Sequence, residues 1–109
     1  MKEIDWKYIK ESLEIILSLV DSKLEKHLIA HIEHYIKYDE FEMAFEVLFT
    51  EIIKLENISL IDYKKVEEIG KLLKLDKETV FDPDFWGSFI SFINKIEPPD
   101  GARCAVNES

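Results

Sequence analysis

Apolar residues recur at intervals of three and four through five successive segments of this chain, and that periodicity restricts its fold more than any other feature. Trp6, Ile9, Leu13, Ile16 and Val20 form the first stripe, widened by Leu17. Leu24, Leu28, Ile32 and Tyr35 or Ile36 form the second, and Phe41, Phe45, Leu48, Ile52 and Leu55 the third, with Ala44 beside it. Val66, Ile69 and Leu73 carry the fourth, with Leu72 alongside, and Phe85, Phe89, Phe92, Ile93 and Ile96 the fifth. Such spacing gathers side chains on one face of a helix, so each segment predicts a helix with one face to bury. Gly and Pro number three each in 109 residues, too few for the many tight turns of an all-β chain. The expectation is an all-α fold, a single compact bundle of about five helices. It occupies residues 1–97 and is followed by a loosely ordered C-terminal tail, 98–109, of small and polar residues without periodicity.

Local signals set the expected boundaries. Asp5 caps a helix running to about Val20, and Asp21 and Ser22 break the run before a second helix from Lys23 to Tyr38. Asp39 opens the third helix, with Glu40 and Glu42 in a first turn where the dipole favours acids. Glu56-Asn57 stops it. Ser59 caps the fourth, with Asp62 three residues on in a near capping box. Gly70 lies beside the fourth stripe, and close packing is the reason to expect a glycine inside a helix. Asp76 caps a short turn from Lys77 to Phe81. Asp82-Pro83 then starts the fifth helix, with Pro at its first position, and Pro98-Pro99 end it.

The formal net charge is −9, and it is unevenly spread. Residues 39–57 carry six acids, Asp39, Glu40, Glu42, Glu46, Glu51 and Glu56, against Lys54 alone. Residues 76–109 carry seven acids against three bases. A nucleic-acid binder needs Lys and Arg to neutralise phosphates, so this balance argues against one. It equally disfavours an anionic membrane surface. A basic partner is the opposite case, since attraction speeds the encounter. No apolar run approaches a membrane span, and the first residues lack the order of a signal peptide, so a cytoplasmic location is expected.

Motifs for chemistry are scarce. His27, His31 and His34 form a row at spacings of four and three, which brings imidazoles to one side of a helix. His31 also falls within the apolar face of Leu24, Leu28 and Tyr35, and no residue marks itself as a further ligand. The pattern therefore reads as a partly buried, hydrogen-bonded row, and no metal is assigned to it. The one cysteine, Cys104, falls in the expected tail, where no scaffold positions a nucleophile. There is no GxSxG elbow, no GxGxxG and no phosphate loop, so no catalytic residue and no cofactor are assigned.

The stretch Ile32-Glu33-His34-Tyr35-Ile36-Lys37-Tyr38-Asp39-Glu40-Phe41-Glu42-Met43-Ala44-Phe45-Glu46-Val47-Leu48 ends one helix, breaks, and resumes with acidic-aromatic residues, Ala and an apolar stripe. A second break at Glu56-Asn57-Ile58-Ser59 precedes a helix ending in Leu72-Leu73-Lys74-Leu75-Asp76. Over about residues 24–76 this resembles the MafI-like immunity family and related helical immunity proteins of bacterial contact-dependent growth inhibition. The resemblance implies a small non-enzymatic cytoplasmic protein. Such a protein binds and blocks the C-terminal toxin domain of a cognate polypeptide, often a nuclease and notably an EndoU-like ribonuclease. The acidic charge meets that implication independently, because an acidic surface suits a groove built for phosphate. The expected partner is therefore a basic toxin domain, bound 1:1.

The contact surface expected from the residues is the acidic start of the third helix, Asp39, Glu40, Glu42 and Glu46, with Tyr38 as aromatic anchor. Asp82, Asp84 and Trp86 form a second patch, with interhelix packing the other reading of Trp86. A helical adaptor or regulatory subunit without a toxin partner fits the same composition.

Overall fold

The computed structural model describes residues 4–55 and 61–96. Its element order is α1 (Trp6–Val20), a 3-10 turn (Asp21–Lys23), α2 (Lys26–Lys37), α3 (Phe41–Lys54), α4 (Tyr63–Leu72) and α5 (Phe85–Ile96). The architecture is all-α, with five α-helices and no strand among the described residues. The expected tail, Cys104, the Glu56-Asn57 stop, the Ser59 cap and the Pro98-Pro99 stop lie outside the described residues.

α3 is the centre of the fold. It packs against α1, α2 and α5 and buries seven residues: Phe41, Ala44, Phe45, Glu46, Leu48, Phe49 and Ile52. Phe45 and Phe49 meet Phe89 of α5 nearly edge-on, with ring centroids 5.5 Å apart in both pairs. That geometry puts ring edges against ring faces, which is the favourable sense of the aromatic quadrupole. Every apolar stripe read from the sequence faces this core, but three members do not follow: Leu28, which is half-buried outside it, Trp6 and Leu72. Trp6 stacks on Phe41 at 5.9 Å while half its surface stays in solvent, and Leu72 is exposed.

The helix ends are fixed by named groups. The Asp5 carboxylate accepts from the Tyr8 N–H at 3.0 Å and starts α1. α4 is capped by Asp62, whose carboxylate accepts from the Lys65 N–H at 3.3 Å, so the acid expected inside the helix is its cap. α2 starts three residues later than expected, because the chain first tightens into the 3-10 turn and then extends at Leu24. α2 and α4 stop in the same way. The Glu40 N–H donates to the Tyr35 carbonyl at 2.8 Å and the Asp39 N–H to Ile36 at 3.2 Å. The Leu75 N–H donates likewise to Gly70 at 3.0 Å and the Lys74 N–H to Lys71 at 3.0 Å. Both are Schellman closures, which require a left-handed residue, and Asp39 (φ 60°) and Lys74 (φ 63°) supply it. Asp39 therefore closes α2 instead of opening α3.

Gly70 has the packing role its position implied. A Cβ there would lie 2.5 Å and 2.8 Å from two carbons of the Trp86 ring and 3.1 Å from the Phe45 ring. A Cβ on Gly87 meets nothing within 4 Å. Gly87→Ala should therefore stabilise the domain by up to about 1 kcal/mol through helix propensity alone. Gly70→Ala should destabilise it, because overpacking of about 1–3 kcal/mol opposes that same gain. In a Trp86→Leu background the cost at Gly70 should shrink. Urea denaturation of the four variants tests the pair, and a stabilised Gly70→Ala would refute the contact. Lys74→Gly should raise stability by about 1 kcal/mol, since glycine takes the left-handed region without a Cβ penalty.

Candidate interaction surface

One acid of the expected contact surface is not on the surface. Glu46 is 1% exposed and belongs to the core face of α3. Its carboxylate accepts three backbone N–H groups from the segment before α5: Val80 at 2.7 Å, Phe81 at 2.9 Å and Asp82 at 2.7 Å. Burying a carboxylate is costly unless its oxygens are satisfied, and three donors satisfy them here. Glu46 therefore presents nothing to a partner, which corrects its expected place beside Asp39, Glu40 and Glu42. The expected short helical turn from Lys77 to Phe81 is likewise replaced by turns through residue 77 and an irregular segment after it.

The other acids stay outside. Asp39 and Glu42 are exposed, and Glu40 is half-buried at the start of α3. Asp39 and Glu42 share a shallow pocket with Trp6, Phe41, Lys7 and Lys10, so two lysines of α1 dilute the negative charge of this corner. Asp82 and Asp84 are exposed, and the Asp82 carboxylate accepts from the Asp84 N–H at 2.9 Å in the turn that leads into α5. Trp86 is half-buried: its ring lies over Gly70 and 5.0 Å from Phe89, so packing between α4 and α5 takes up much of the indole expected in the second patch.

Tyr38 is the expected anchor with the most open setting, at 58% exposure. It is not isolated. Its ring lies 4.7 Å from His34, and His34 lies 6.0 Å from Tyr35. Tyr35 stacks on His31 at 6.4 Å and reaches Phe81 at 6.4 Å. The result is an aromatic surface running along α2 and onto the segment before α5. The three histidines are all exposed, which corrects the expected partly buried row. The row lies on the outer side of α2 because Ile32 and Ile36 take the core side. His27 pairs with Glu25 at 3.1 Å, and His31 and His34 contact tyrosine rings. Among the described residues no three His, Cys, Asp or Glu side chains come together as a metal site.

Val80 and Phe81 had no place in the expected surface, yet they are 41% and 54% exposed. The sequence signal for them is an adjacent apolar pair outside any stripe, immediately before the Asp82-Pro83 helix start. No helix among the described residues is long and apolar enough to cross a membrane. No family model matches the chain, and neither a curated protein nor a solved structure gives a significant match to it.

Glu46→Gln should cost about 1–3 kcal/mol, because the amide keeps one acceptor and turns an N–H donor toward backbone N–H groups. Chemical denaturation measures the loss. A variant as stable as the parent would show that the three bonds contribute little.

Proposed function

We propose that this chain is a non-enzymatic immunity protein that binds the toxin domain of a bacterial contact-dependent or secreted polymorphic toxin and blocks it by occlusion. The observation that carries the reading is the exposed aromatic corner where Tyr38 meets His34, with Lys37 over the Tyr38 ring at 5.6 Å and Asp39 and Glu40 next in the chain, on a domain of net charge −9. Aromatic anchors within a polar rim are the usual composition of a strong protein contact. The overall charge suits a basic partner, and a nuclease groove is basic because its substrate is polyanionic. The resemblance of residues 24–76 to MafI-like immunity proteins supports the same reading and favours an EndoU-like ribonuclease as the toxin. In this proposal the protein acts in the cytoplasm, as a 1:1 complex, with no cofactor and no bound nucleic acid.

The mechanism follows from the division between charge and shape. Long-range attraction brings the acidic domain to the basic groove and speeds association. Tyr38 and its neighbours then exclude water at the contact, where the aromatic rings give residence time. The toxin's substrate is kept out because the groove is filled, and the immunity protein performs no chemistry.

Calorimetry against the toxin domain of the cognate polypeptide, expected to be EndoU-like, tests the reading. The expected result is a 1:1 complex of nanomolar or tighter affinity that weakens as salt rises. Asp39→Lys combined with Glu42→Lys should weaken it about 10-fold or more in a chain that still folds, with a modestly lowered melt because Asp39 holds the left-handed closure of α2 and Glu42 the first turn of α3. No binding at low salt would leave a helical adaptor with a different partner as the account of this fold.

A further inference from the structure

We infer that the segment from Glu78 to Asp84 is a preset recognition loop, locked by Glu46, whose Val80 and Phe81 side chains enter an apolar pocket on the same basic partner. The inference rests on the reading above and adds a second contact element that neither charge nor resemblance indicates.

The first support is the contrast between backbone and side chains. The backbone of this segment is tied down at nearly every step. The Val80, Phe81 and Asp82 N–H groups end in one buried carboxylate. The Thr79 hydroxyl donates to the Asp82 carbonyl at 2.6 Å, and the Phe85 N–H donates to that same carbonyl at 3.0 Å. With its amides drawn inward, the loop turns two adjacent apolar side chains out to solvent. A loop already ordered loses little entropy on binding, and this is what makes exposed apolar anchors effective.

The second support is continuity. Phe81 touches Tyr35, and through Tyr35 and His34 it joins the corner at Tyr38. A partner seated on Tyr38 therefore finds a further apolar anchor on the same surface. The third support is charge. A shallow pocket of about 240 Å³ beside Phe81 is lined by Val47, Thr50, Glu51 and Asp82, with Glu46 at its inner side. A Lys or Arg side chain fits such a pocket, with its stem against Val47 and its charge beside Asp82 and the Phe81 ring, where it competes with Lys54 for Glu51. The occupant is thus a protein domain presenting a basic residue next to an apolar hollow.

The test uses the full chain and the toxin domain named above. Phe81→Ala should weaken binding about 10- to 100-fold, the range of an aromatic hot spot, and Thr79→Val should weaken it to a smaller degree by loosening the loop. Ile15→Ala, an exposed apolar position on α1, should bind as the parent does. Amide hydrogen exchange supplies the partner-free readout. In the parent the Val80, Phe81 and Asp82 amides should be protected, and in Glu46→Gln they should lose about 10-fold more protection than the α5 amides, which fall only with the global stability. If the parent binds tightly and Phe81→Ala binds equally well, the recognition loop is overturned and the immunity reading stands. If the parent does not bind, both fall. Unprotected loop amides in the parent overturn the lock whatever the binding result.

Discussion

A single carboxylate in the middle of α3 connects the two ends of this fold. Glu46 takes the N–H groups of Val80, Phe81 and Asp82 into the core, and so fixes where the chain stands 34 to 36 residues later. Asp82 then carries the constraint onward. Its carbonyl accepts from the Phe85 N–H, and its side chain accepts from the Asp84 N–H, which sets the start of α5. Once α5 starts there, Phe89 falls onto Phe45 and Phe49, and Trp86 falls onto Gly70. The tight approach of α4 to α5 at Gly70 and the Glu46 hydrogen bonds thus require the same placement of α5. Cores of aromatic residues pack well only in one register, and a buried, fully satisfied acid is a means of choosing that register.

The five helices were legible because each must bury one face, and a face leaves a period in the sequence. Ile9, Leu13, Ile32, Phe45, Leu48, Ile69 and Phe89 all lie in the core their spacing predicted. Asp5 was legible as a cap because its hydrogen bond is local. Asp62 was legible near the start of α4 only as the capping-box partner of Ser59, whereas its own side chain is the cap of the helix that starts at Tyr63. The left-handed closures at Asp39 and Lys74 were not legible, because that conformation is usually announced by Gly or Asn and neither stands there.

Of the expected contact residues, exposure was legible for Tyr38, Asp39, Glu42, Asp82 and Asp84 but not for Glu46. Glu46 looked like its neighbours Glu40 and Glu42. Its burial depends on three donors supplied from a distant segment, which no local pattern reports. Phe49, three residues further on, widens the apolar stripe toward Glu46 and was the one warning in the sequence. The histidine row was misread for the complementary reason. His31 falls near the apolar stripe on a helical projection, but Ile32 and Ile36 already fill the side that α3 covers. Period alone gives the direction of a face to within a residue or so, and one residue decides whether an imidazole meets solvent or the core.

In the proposed function, charge and shape divide the work of recognition differently at the two exposed regions. At the start of α3 the acids share a pocket with Lys7 and Lys10, so the local field there is weaker than the count of acids suggests. At the segment before α5, Glu51 and Asp82 share a pocket with Phe81, and Glu51 pairs with the exposed Lys54 at 3.3 Å, a contact that solvent screens on its lysine side. Net charge acts over a distance and sets how often partners meet, whereas desolvated aromatic contact sets how long they stay. An acidic helical domain with no fixed apolar anchor would attract basic proteins indiscriminately. Locking Val80 and Phe81 outward on an ordered backbone supplies the shape requirement that charge lacks, and it is the buried acid, not the exposed ones, that makes this possible.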